Sequence, residues 1–158
     1  AIGRLLRAAT ADELEALRGE LAVAVQREAD VTDLPSHERH TVSQVFCSAL
    51  PVAYSDLGPS LWEPFARLVL EAAYEATLLA ALQTRLAGGS PTVLLTRLGG
   101  GAFGNDDAWI DAAIAQALSR TEGSGLDVRL VSRGTTHPSF AVLAPAWTSC
   151  LGQGGVDR

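Results

Sequence analysis

The chain has 158 residues, 47% of them hydrophobic, which suffices for one domain around one core and falls short of two. Its formal charge of -6 excludes a protein that coats nucleic acid, because that binding rests on clustered cations neutralising many phosphates. All 12 of its cations are arginine, so lysine Schiff-base chemistry and the lysine hook of a Walker-type nucleotide loop are excluded as well.

In chain order, Leu5, Leu6, Ala9, Leu14 and Leu17 among charges predict a helix over residues 3–18, stopped by Gly19. Leu21, Val23 and Val25 alternate with small or polar residues, which predicts a strand over 20–31 with one buried face, and Asp33 to His40 reads as a loop. The run VSQVFCSAL, residues 42–50, predicts a second strand buried on much of its surface and closed by Pro51. Ser60 and Glu63 have the spacing of a capping box ahead of an apolar stripe through Leu61, Phe65, Leu68, Ala72, Ala76, Leu79 and Leu86. Pro64 is placed in the first turn of that helix, and Glu63, Arg67, Glu71 and Glu75 predict a solvated stripe along it.

Gly88 and Gly89 end this helix, and Thr92 to Leu98 predicts a third strand. Trp109, Ile110, Ala113, Ile114, Ala117 and Leu118 then trace the core face of a helix that Gly123 and Gly125 stop, and Leu126 to Ser132 reads as the last strand. The order α-β-β-α-β-α-β predicts a layered α/β domain over residues 1–133 with parallel βαβ crossovers. Residues 134–158, with Pro138, Pro145 and a terminal glycine cluster, are expected to be a tail holding at most a short helix and a disordered end.

No apolar stretch reaches the length of a membrane span, no basic segment leads into an apolar one at the start, and Cys47 and Cys150 form no disulfide or CxxC pattern. The expectation is a cytoplasmic chain with no membrane partner. Because methionine is absent even at position 1, the natural protein is expected to begin upstream of Ala1.

The stretch TRLGGGAFGNDDAW, residues 96–109, carries most of the chemical information. It runs from the end of a strand into the start of a helix, where strand ends form a crevice and unpaired helix amides favour an anion. Glycines at 99, 100, 101 and 104 would let the backbone approach a pyrophosphate and adopt positive φ. Phe103 reads either as a lid over a ligand or as an anchor into the core. Asn105 or Asp106 can cap the following helix, with Asp107 favouring its positive end, and the alternative is that Asp106 or Asp107 orients a ribose hydroxyl or an attacking water. The pattern is not a GxGxxG dinucleotide fingerprint, because the glycines are contiguous. A tight turn with no ligand is a third reading of the whole loop.

With these residues in view, the chain resembles the later two-thirds of a macrodomain, the family of ADP-ribose-binding modules. The segments VSQVFCSALPVAYSD, LWEPFARLVLEAAYEA and LLTRLGGGAFGNDDAWI are similar to a bacterial-effector-like branch whose phosphate loop reads GGGxFGN and some of whose members remove ADP-ribose from arginine. The resemblance implies a three-layer α/β/α fold with a mixed sheet and ADP-ribose or an ADP-ribosylated protein as partner. It implies that Gly99, Gly100, Gly101, Ala102, Phe103 and Gly104 wrap the diphosphate and distal ribose, with Phe103 flanking the ribose and Asn105 fixing the loop. The family's early strands, its adenine-reading acid and its asparagine-rich loop are not found in this sequence.

Other residues read more plainly. His37 and His40 have a spacing that zinc can use, but no third or fourth ligand is near, so a solvated loop is expected and neither metal nor cofactor is assigned. Cys47 reads as a packed strand residue, Ser48 has no local histidine to activate it, and Tyr54 and Asp56 fall at the ligand edge of the sheet. Arg133 and Thr135 follow the last strand onto the same edge, where an arginine could meet phosphate or adenine and a surface ion pair explains it equally well.

Overall fold

A computed structural model describes residues 2–132, 134–141 and 143. The helices are α1 (Ile2–Ala8), α2 (Ala11–Gly19), α3 (Pro59–Leu86) and α4 (Asp107–Arg120), and the strands are β1 (Ala24–Asp30), β2 (Thr41–Phe46), β3 (Thr92–Leu95) and β4 (Asp127–Leu130). The architecture is mixed α/β with two small sheets: β1 pairs antiparallel with β2, and β3 pairs parallel with β4 across α4.

The core forms where α3 and α4 pack together over β3. Leu70, Leu78, Ile110 and Ile114 are its largest fully enclosed side chains, and Val93 and Leu95 supply the inward face of β3. Those four sit at helical spacing on facing stripes of α3 and α4, so burying them removes apolar area from water at roughly 25 cal/mol per Å².

The structure departs from the sequence reading at several points. The helix expected over residues 3–18 is two helices, because Thr10 is extended (φ -70, ψ 166) and forms a capping box with Glu13 that starts α2 afresh. The box expected of Ser60 and Glu63 is not made: α3 begins at Pro59 behind Gly58, so Ser60 already lies inside it. Pro64 is therefore its sixth residue, past the first turn, and cannot donate to the Ser60 carbonyl one turn back. That carbonyl instead accepts from the Arg7 guanidinium, while Gly3 of α1 lies so close to α3 that a Cβ there would stand 2.8 Å from the Leu61 carbonyl oxygen. A helix defect thus becomes the seat of α1.

The acidic stripe is not solvated along its length. Arg18 bonds Glu71 at 2.8 Å and Arg120 bonds Glu75 at 3.0 Å, so α2 and α4 cover that side of α3, and only Glu63 and Arg67 remain a loose pair at 3.8 Å. Nor is β2 buried on much of its surface: in Thr41–Phe46 only Val45 is partly covered, since β1 and β2 form a sheet of their own. In β1 a bulge places Arg27 and Glu28 opposite Ser43, with Glu28 at φ 53, and Arg27 reaches Thr84 of α3 at 3.1 Å. Among the described residues no helix is long and apolar enough to cross a membrane.

Candidate functional site

Beyond β3 the chain turns at once. The Leu98 amide donates to the Tyr74 hydroxyl at 2.7 Å, and that hydroxyl donates to the Thr96 carbonyl at 2.8 Å, so a tyrosine buried in α3 fixes the exit of the strand. Burial pushes the Tyr74 phenol up to about 12, against the opposing pull of the Leu98 amide. The loop then passes through Gly99, Gly100 and a single 3-10 turn, Gly101–Phe103, before Asp106 starts α4.

The four glycines have different reasons to be glycine. Gly99 (φ 79) and Gly104 (φ 66) are left-handed and tightly packed: a Cβ at 99 would overlap Ala49, and one at 104 would stand 2.7 Å from the Ala53 Cβ. Gly101 (φ 69) needs the left-handed region but faces open space. Gly100 has the ordinary angles φ -68 and ψ 165, and the nearest atom to a Cβ there would be 3.6 Å away. Folding gives no reason for glycine at position 100. The amides of Gly101 and Ala102 have no hydrogen-bond partner among the described residues.

Asn105 holds the loop from beneath. Its Nδ2 donates to the Leu50 carbonyl at 2.8 Å and to the Gly99 carbonyl at 3.2 Å, and its backbone amide reaches Gly99 again at 3.1 Å. The residue is only 6% exposed, yet its buried Oδ1 has no partner among the described residues. Phe103 is half-buried against the core and meets Tyr54 edge-on, ring centroids 5.9 Å apart, while Tyr54 is 71% exposed. The structure therefore brings Tyr54 and the residues from Gly99 to Asn105 into one place.

Asp106 and Asp107 lie at the same end of α4 with separate duties. Asp106 caps the helix, its Oδ1 accepting from the Ala108 amide at 2.8 Å. Asp107 is bound to Arg97, whose Nη2 approaches its Oδ1 at 2.6 Å, and Arg97 Nη1 bonds Asp111 and the Ser139 hydroxyl. Burial would lower the Arg97 guanidinium, but its bonds to Asp111 and Asp107 outweigh this, and the net shift is upward. His137 completes the group, with Nδ1 2.8 Å from Ser139 Oγ and Nε2 3.6 Å from Asp107 Oδ2.

Sequence reasoning did not single out Arg97, Asp111, His137, Ser139 or Tyr74. The spacing of Asp107 and Asp111, one turn apart on α4, was a usable sign of a cation between them. Nothing local marked His137 and Ser139, which come to α4 only because the chain after β4 turns back, burying Phe140 with Arg97 6.0 Å over its ring.

The other candidates stand apart from this place. His37 and His40 are exposed, His37 lying 3.3 Å from Glu38. Cys47 is free and half-buried, 4.0 Å from the Thr77 hydroxyl, with burial pushing its thiol up. Ser48 donates to the Ala49 carbonyl at 3.0 Å, and Asp56 and Thr135 show no side-chain bond among the described residues. Arg133 and Cys150 lie outside those residues. A cavity of ≈ 140 Å³ between α2 and α3, walled by Leu21, Ala72, Ala76, Leu79 and Arg18, shares no residue with the glycine loop. The chain matches no protein-family model, no curated protein and no solved structure.

Proposed function

We propose that the chain is an ADP-ribose-binding module of macrodomain type, in which the loop from Gly99 to Asn105 receives the diphosphate and distal ribose. In this reading the α/β fold is a variant of the three-layer α/β/α type whose strands stand as two separate pairs, and ADP-ribose, free or attached to a protein, is the partner. The observation that carries it is Gly100, a glycine that neither backbone angle nor packing requires, next to unpartnered amides at Gly101 and Ala102 and in front of a helix N-terminus. A close-approaching phosphate supplies the missing reason, because a side chain at 100 would occupy its path. Tyr54, exposed beside Phe103, offers an aromatic edge to the sugar.

The hydrolytic extension of this reading has water attack the anomeric carbon of a distal ribose, on arginine or another side chain, with Asp106 or Asp107 orienting that water. Each acid already has a structural partner, so the geometry favours binding over hydrolysis. A second reading, a turn with no ligand, draws on Gly99 and Gly104, whose glycines packing alone explains.

Calorimetry with ADP-ribose separates the two. Heat with a dissociation constant below about 1 mM is expected, equivalent to roughly 4 kcal/mol; no heat at that ligand concentration leaves only the turn. Release of ADP-ribose from modified arginine, aspartate or glutamate then tests the extension, and a binding protein that releases none is a reader.

A further inference from the structure

Three carboxylates, Asp106, Asp107 and Asp111, occupy the first two turns at the anion-facing end of α4. A diphosphate arriving there would meet like charge, and like charges a few ångströms apart near a protein surface repel. Asp106 is turned back onto its own helix as the cap. The other two share one cation: Arg97 Nη2 lies 2.6 Å from Asp107 Oδ1 while Nη1 bonds Asp111. The Arg97 side chain is only 10% exposed, closed in by Phe140 and by the Ser139 hydroxyl at 2.7 Å.

We propose that Arg97 is the positioning residue of the glycine loop: it withdraws the charge of Asp107 and Asp111 from an approaching diphosphate. This rests on reading the loop as a diphosphate cradle. Arg97 need not touch the ligand, since its guanidinium is already filled by two carboxylates, a hydroxyl and the Asp107 carbonyl at 3.4 Å. Its effect is electrostatic, and that distinguishes it from a clamp that merely keeps α4 in place.

The test uses the full chain with inorganic pyrophosphate and ADP-ribose as separate probes, affinity being read from calorimetry and folding from thermal melts. R97Q is expected to weaken pyrophosphate binding by about tenfold or more at low salt, and the defect is expected to shrink as salt rises from about 0.02 M to about 0.5 M and screening sets in. Removing the exposed charge from that variant, as R97Q/D107N, is expected to bring affinity back to within about threefold of the parent. A structural clamp predicts the reverse, a double variant as weak as R97Q and a defect indifferent to salt, and that result overturns the proposal.

Should R97Q fail to fold, R97K keeps the cation and is expected to hold affinity within about threefold, whereas a folded R97K weakened more than about tenfold overturns the proposal. A parent chain that binds pyrophosphate but not ADP-ribose defeats the proposed function and leaves Arg97 to be judged on pyrophosphate. A parent that binds neither defeats both.

Discussion

Asn105 donates from its side-chain amide to the backbone carbonyl of Leu50 at 2.8 Å, tying the loop after β3 to the chain that leaves β2, 55 residues earlier. This bond joins the Tyr54–Phe103 contact and the packing of Gly104 on Ala53 in holding the glycine loop to the segment bearing Tyr54.

Asn105→Ala removes that bond and the one to Gly99, while the Gly99 carbonyl keeps the backbone amide of residue 105 and the Leu50 carbonyl keeps the Val52 amide. A loss of about 1–3 kcal/mol is expected in chemical denaturation, since two side-chain hydrogen bonds disappear and each contributes roughly 0.5–1.5 kcal/mol. A change below about 0.5 kcal/mol would mean that the loop is not tied at this point.

Alanine at the glycines should sort them. Gly100→Ala is expected to leave stability within about 0.5 kcal/mol and to weaken ADP-ribose, because its angles suit any residue and its Cβ finds space. Gly99→Ala is expected to cost about 2–4 kcal/mol, combining a left-handed backbone with overlap on Ala49. Melting curves of the two variants with and without ligand decide the matter; equal stability losses at 99 and 100 would contradict this account of the loop.

Tyr74 predicts an alkaline limit. Its phenol is raised from 10.0 to about 12 by burial, so between those values the folded chain holds a proton that the unfolded chain has released. Stability is complete below pH 10 and falls as pH climbs toward 12, by about 2–3 kcal/mol from this group. Tyr74→Phe should flatten that decline while costing about 1–2 kcal/mol at neutral pH, where the Thr96 carbonyl and Leu98 amide lose the hydroxyl and keep only their mutual bond at 3.0 Å. Denaturation midpoints from pH 8 to 12 on both proteins would check it, and parallel declines would exclude Tyr74 as the source.

Acid should act on the other side of the molecule. Hydrogen bonds from Arg120 and then Arg18 hold the Glu15 carboxyl at about 2, below its usual 4.5. The stabilisation is present above pH 4.5 and is lost as pH falls through 2, modestly, because the pair is exposed. Glu15→Gln should reduce the drop in melting temperature between pH 5 and 2, and high salt should do the same to the parent. An identical acid profile for the variant would remove Glu15 from the account.

The sequence was most legible where a signal repeats within a few residues. The apolar stripes of α3 and α4, the βαβ order of the second half and the strand-to-helix position of the glycine loop all follow from local periodicity and from residues that stop helices. It was misleading where an element's environment depends on its neighbours. Nothing inside VSQVFC says that β2 finds only β1 beside it, and the acids of α3 read as solvated until α2 and α4 bring Arg18 and Arg120 onto them.

By itself, then, the sequence determined where the chain could be helical, where it had to turn, and that Gly99 to Asn105 would join a strand to a helix start. Tertiary structure alone decided that Gly99 and Gly104 are packing glycines while Gly100 is not, and that Arg97 gathers Asp107, Asp111 and Ser139 around one guanidinium. Backbone preference and periodicity act over a few residues, whereas steric fit and charge pairing act through space, between residues whose separation along the chain carries no information about their separation in the fold.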